Sequence, residues 1–155
     1  MSSRSIPVRH DSRFFGTERS MANSTSGAGV VLLGRILFSV IFIFAGFANL
    51  TQKSIDAAVQ AGVPMASVLV PLAGILAGLA GLSVLLGYHA RIGAWGIVVF
   101  LAVITPVMHN FWSVTDPGLA QMQQVNFMKN IAMLGAALMI AYFGAGPLSI
   151  DAHRR

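Results

Sequence analysis

The sequence predicts an all-α membrane protein, an antiparallel bundle of four transmembrane helices. Three observations carry that expectation. Of 155 residues, 55% are hydrophobic and only 10% are Asp, Glu, Lys or Arg, against about one quarter in soluble domains. So few polar groups cannot cover a water-facing surface, and a disordered chain needs the opposite balance of charge and hydropathy. The mean hydropathy is +0.74. The apolar residues also gather into four runs, each close to the roughly 20 residues that cross about 30 Å of hydrocarbon.

Residues 1–27 are polar, basic and rich in Ser and Gly. With no sustained helical period, they are expected to form a disordered cytoplasmic tail. A signal peptide does not fit, because the following apolar run is too long and lacks a small-residue cleavage pattern. Met21 offers an alternative start. The bundle is expected over residues 28–148, its first helix at about 29–50. A link from Thr51 to Val63 follows, and Gly62-Val63-Pro64 suits a helix with Pro in its first turn. The second helix is placed at 64–87 and the third at 92–112. The link between them, Gly87 to Arg91, is so tight that they must be antiparallel neighbours. The link from Ser113 to Val125 holds Asp116-Pro117-Gly118, a turn signal. The fourth helix is expected at 126–144, ended by Gly144 and Gly146-Pro147. Residues 149–155 read as a second cytoplasmic tail.

The net charge is +5, and Arg4, Arg9, Arg13, Arg19, Arg154 and Arg155 sit near the termini. Arg91 and Arg35 join them on one side of the bundle, against Lys53 and Lys129 on the other. Positive charge gathers on the cytoplasmic side, so both termini are expected there. The expected partner is the lipid bilayer; with no basic stripe of interleaved aromatics, nucleic acid is not.

The chain has no cysteine, which excludes disulfides, Cys-ligated zinc, iron–sulfur clusters and dithiol chemistry by this chain alone. No carboxylate–histidine cluster suggests another metal. His89 and His109 stand about 30 Å apart at the two ends of one expected helix, too far for bis-His haem ligation. Asp56, Asp116 and Asp151 fall in loops or at a helix end, so no buried carboxylate is available for proton-coupled export. No polar stripe crosses the middle of the membrane, as a channel would need.

Polar groups inside a bilayer are functional candidates because burying them there is expensive. They fall into two layers. The outer one holds Asn49, His109, Asn110, Asn126, Lys129 and Asn130. Thr105, His109 and Trp112 share one helix face at i, i+4 and i+7 spacing, and Asn126 and Asn130 share another, with Lys129 adjacent. These residues could hold a quinone or lipid headgroup; alternatively His109 and Lys129 snorkel while Trp112 joins the aromatic belt. The inner layer, Arg35, Arg91 and Asp151, admits an ion pair tying the first helix to the end of the fourth, or independent snorkelling to lipid phosphates. In the second helix, Gly74, Gly78 and Gly81 form a small-residue face that permits close backbone approach. It serves packing within the bundle, or it docks a second copy or another protein.

Several segments together resemble the DoxX family of small four-helix bacterial membrane proteins. They are Gly34-Arg35 with Phe42 and Ala45-Gly46-Phe47, then Gly62-Val63-Pro64, then Gly81 through Gly87 to Arg91. His109 to Trp112, Asn126 to Asn130, Gly135, Gly144 to Pro147 and Ser149-Ile150-Asp151 complete the match, over about residues 30–151. Two positions depart from the family pattern: Asn49 stands where a Lys is frequent, and Ala77 where a Glu is frequent. The resemblance implies a multi-pass inner-membrane location. Some relatives belong to thiosulfate:quinone oxidoreductases and others are proposed partners of oxidative-stress enzymes. The resemblance therefore implies an accessory subunit of a quinone-linked redox complex rather than an independent oxidoreductase, with a redox protein as partner and quinone as the candidate cofactor. The competing expectation is an assembly protein that docks its partner on the Gly74/Gly78 face.

Overall fold

A computed structural model describes the backbone of residues 13–154 and the side chains of residues 27–154. The expected tail over residues 1–12, and Arg155, lie outside the described residues. Six α-helices follow in order: α1 (Arg13–Ala48), α2 (Gln52–Gln60), α3 (Ala66–Leu86), α4 (Ala90–Met108), α5 (Pro117–Phe143) and α6 (Ile150–His153), with a 3-10 turn at Phe111–Ser113. Four segments are long and apolar enough to span a membrane: Gly27–Ala48, Ala66–Leu86, Ala90–Ser113 and Pro117–Phe143. They run alternately up and down as an antiparallel bundle.

The bundle is apolar outside as well as inside. Leu37, Phe44, Leu72, Ile92, Val103 and Met139 stand exposed on its exterior, a surface that suits hydrocarbon and not water. The interior is built largely from small residues, with Ala77, Ala80, Ala94, Ala137 and Ala141 around Phe42, Val84, Ile97 and Leu101. Lipid tails are as apolar as leucine, so helices in a bilayer gain most from close backbone approach. At the α1–α3 crossing this approach is extreme. A Cβ on Gly46 would lie 2.8 Å from the Gly78 Cα, and one on Gly74 would lie 2.9 Å from the Gly46 carbonyl oxygen. Gly81 packs against Phe42 and Ile43 of α1.

At that crossing the Gly74, Gly78 and Gly81 face of α3 lies against α1, as packing within the bundle requires. α1 packs on α3, α3 on α4 and α4 on α5. α1 and α5, in contrast, close on each other only loosely, which leaves a seam down one side of the bundle.

Four boundaries differ from the sequence expectation, each for a local reason. The α1 helix extends back to Arg13, ahead of its span, where a segment without helix was expected. The first link contains α2, whose Ala58 packs with Ala66 and Val70 while Gln52, Lys53, Asp56 and Gln60 stay exposed. An apolar-run criterion cannot see so short an amphipathic helix. Asp116-Pro117-Gly118 starts α5 rather than making a turn: the Asp116 carboxylate accepts from the Leu119 N–H at 2.8 Å, and Pro117 takes the first helical position. A capping Asp followed by Pro is a helix start, and the polar Gln121, Gln123 and Gln124 that follow are good helix formers. Finally, α4 stops at Met108, two residues after Pro106, and the chain enters the 3-10 turn.

The remaining difference lies at the end of the bundle that holds α6, called here the terminal end. Ser149 is buried and α6 is docked, where a tail was expected. The Asp151 carboxylate accepts from the His89 and Ala90 N–H groups at 2.9 and 3.0 Å, capping the start of α4 from another segment of the chain. The Asp151 N–H in turn donates to the Gly87 carbonyl at 2.8 Å. Gly87 has φ +64°, and a Cβ there would collide with Ser149 and meet Arg35 Nη1 at 3.0 Å. Only glycine fits that combination of backbone conformation and crowding.

Candidate functional site

The opposite end, where α2 lies, holds a cavity of about 300 Å³, at the lower bound of the roughly 300–1,000 Å³ usual for small-molecule sites. Its walls come from five helices. Phe42 and Ala45 of α1, with Asn49 just past its end, face Lys129, Asn130 and Met133 of α5, with Leu101 and Ile104 of α4 behind them. His109, just past α4, and Ser54, Ala57 and Ala58 of α2 close the top, and Val70 of α3 completes the lining. The polar groups are at the α2 end and the apolar walls run towards the middle of the bundle.

The sequence-predicted outer layer thus separates into members that meet and members that do not. His109, Lys129 and Asn130 line the cavity together with Asn49. Asn126 stands one step back, its Oδ1 accepting from Lys129 Nζ at 3.1 Å. Trp112 is elsewhere. Because α4 ends at Met108, the expected Thr105–His109–Trp112 stack is broken, and Trp112 packs edge-on against Phe111 and Phe127 at 5.2 and 5.9 Å. It is 61% exposed, as suits an aromatic at the membrane border.

Two side chains set the electrostatics. Gln123 Oε1, which can only accept, lies 2.7 Å from His109 Nδ1, so Nδ1 donates in that contact and Nε2 is left for another partner. Asn130 is only 7% exposed, lines the cavity, and has no hydrogen-bond partner among the described residues. One turn before His109, the Thr105 hydroxyl is also enclosed without a partner, as is that of Ser39 in the middle of α1. Buried polar groups are nearly always paired in folded proteins, because leaving one unmade costs about 1–3 kcal/mol. An unpaired amide on a cavity wall is therefore a group suited to a ligand. Sequence reasoning placed Asn130 at this end but missed the contribution of α2. The alternation of Ile55 and Ala58 with charged and amide residues was the available signal.

The inner-layer residues do something different. Arg35, 5% exposed, donates through Nη1 to the Ala145 carbonyl and through Nη2 to the Leu148 carbonyl, both at 2.6 Å, and through Nε to the Leu85 carbonyl at 3.2 Å. Its hydrogen bonds thus go to backbone carbonyls at the ends of α3 and α5, while the carboxylate of Asp151 goes to the start of α4. Arg35 and Asp151, expected as an ion pair, both bond backbone groups, and together they fasten four helices. Arg91 is exposed beside Gly144, where a Cβ would lie 3.4 Å from its Nε.

Comparison with known proteins agrees with this architecture. The chain is 28% identical over 126 residues to the inner membrane protein YphA of Escherichia coli strain K12, covering 79% of this chain and 88% of that protein. No solved structure matches the chain. The DoxX family model matches residues 30–110, more than half of the chain and all of α3 and α4 together with the membrane-spanning part of α1 from Val30. On that match the chain belongs to the DoxX family, as a multi-pass protein of the inner membrane.

Proposed function

We propose that this protein is a non-catalytic membrane subunit that holds a quinone headgroup in the cavity at the α2 end, as part of a redox-linked complex. The observation that carries this reading is Asn130, a buried amide without a partner on the wall of a cavity whose other end is apolar. A quinone matches that gradient, with carbonyl acceptors on a ring that is otherwise apolar. Its carbonyls would take hydrogen bonds from the Asn130 amide and the Lys129 ammonium, and its reduced hydroxyl form would donate to His109 Nε2. A phosphate headgroup fits less well, because Lys129 is the only Lys or Arg on the wall. With the termini cytoplasmic, as the distribution of basic residues supports, the cavity lies at the outer face of the membrane.

The test is the quinone content per chain after purification in mild detergent, by organic extraction and absorbance before and after borohydride reduction. Near-stoichiometric quinone is expected, with at least tenfold less on His109→Ala at unchanged membrane insertion. Quinone at the level of bulk lipid in both proteins would overturn the reading.

A further inference from the structure

The cavity has a polar top and apolar walls, and exposed side chains are part of its lining. α2 covers it from above through Ser54, Ala57 and Ala58. Between α1 and α5 it reaches the exterior: Ile41, 41% exposed, and Lys129, also exposed, both belong to its lining. This is the seam that the bundle leaves loosely closed.

The seam continues. Further down, a second cavity of about 240 Å³ lies between the same two helices, with Gly34 and Phe38 on the α1 side and Ala136 and Ile140 on the α5 side. Phe42 lines the upper space and Phe38 the lower, their rings tilted against each other at 5.0 Å. A Cβ on Gly34 would meet nothing within 4 Å, so this stretch of α1 is not filled by the protein. A water-soluble ligand has no use for an opening that faces hydrocarbon. A molecule with a polar head and a long apolar tail does, because its tail can stay in hydrocarbon while its head reaches the polar lining.

We infer that the α1–α5 seam is a lateral portal, through which a quinone enters from the bilayer with its prenyl tail left in the seam beside Ile41. This rests on the quinone reading of the cavity and adds the route and the tail requirement. It also assigns a role to Ile41, which touches the tail and not the head.

The absence of cysteine from the chain makes a reversible test possible. Ile41→Cys, and Val103→Cys on the exposed face of α4 as a control, are reconstituted in nanodiscs and modified with benzyl methanethiosulfonate. Each is titrated with a prenylated benzoquinone and with the same benzoquinone lacking the tail. Modification at Ile41→Cys is expected to weaken the prenylated quinone at least about tenfold, the loss of contact with about two methylene groups. The tail-less ring should change less than about threefold, dithiothreitol treatment followed by its removal before titration should restore the loss, and Val103→Cys should show none. Equal weakening of both probes, or none for the prenylated one, would overturn the portal while leaving the headgroup site standing. Failure of both probes to bind unmodified protein would overturn the site and the portal together. Because dithiothreitol regenerates the same folded molecule, a folding defect cannot imitate the expected result.

Discussion

The two ends of the bundle handle buried polar groups in opposite ways. At the terminal end Arg35 satisfies three carbonyls and Asp151 two amides. Both residues are spent on backbone that helix termini would otherwise leave unpaired. At the α2 end the Thr105 hydroxyl is enclosed without a partner, and Asn130, 7% exposed, turns to the cavity with no side-chain hydrogen bond among the described residues. The comparison teaches how to read polarity inside a membrane protein. A buried charge that is fully hydrogen-bonded to its own chain is a fastening. A buried amide that is not, and that lines a cavity, points outward to something the chain does not supply.

The sharpest way to break this comparison is to remove each end in turn. Arg35→Met should destabilise the protein by about 3 kcal/mol or more, because it strands three buried carbonyls; unfolding in mixed micelles followed by circular dichroism measures this. Gly87→Ala should cost about 2–4 kcal/mol by the same measurement, from a left-handed backbone position and contact with Ser149 and Arg35. Asp151→Ala should cost about 1–2 kcal/mol, the loss of a cap at the start of α4. At the other end, Asn130→Leu should shift stability by less than about 1 kcal/mol in either direction, since the lost amide had no partner to strand. A cost as large as that of Arg35→Met would mean that Asn130 is structural, and the contrast between the ends would fail.

Much of the bundle was legible because length and hydropathy suffice to count spans, and a short polar link suffices to orient neighbours. The departures share one cause: an apolar run marks where a helix crosses lipid, not where it begins or ends. Hence α5 starts at Pro117 instead of 126, its first turns being made of polar helix formers behind a capping Asp116. Hence also α2 went unseen. At the candidate site, His109, Lys129 and Asn130 could be grouped from depth and helical spacing, since polar residues at one level of a bundle have few places to go, and all three line the cavity. Trp112 was misplaced because its pairing assumed a helix continuing past Pro106. Arg35 and Asp151 were matched by charge; that each also bonds backbone at helix ends depends on positions that sequence cannot locate.

The most direct test of the contrast is the stability gained when a prenylated benzoquinone is added in excess. A ligand that binds only the folded state at a hundred times its dissociation constant stabilises by about 2.7 kcal/mol. The native chain should gain about that much. Asn130→Leu, equal to it in stability without quinone, should gain less than about 1 kcal/mol. The same gain in both proteins, or no gain in the native one, would contradict the assignment of the α2 end as a ligand site.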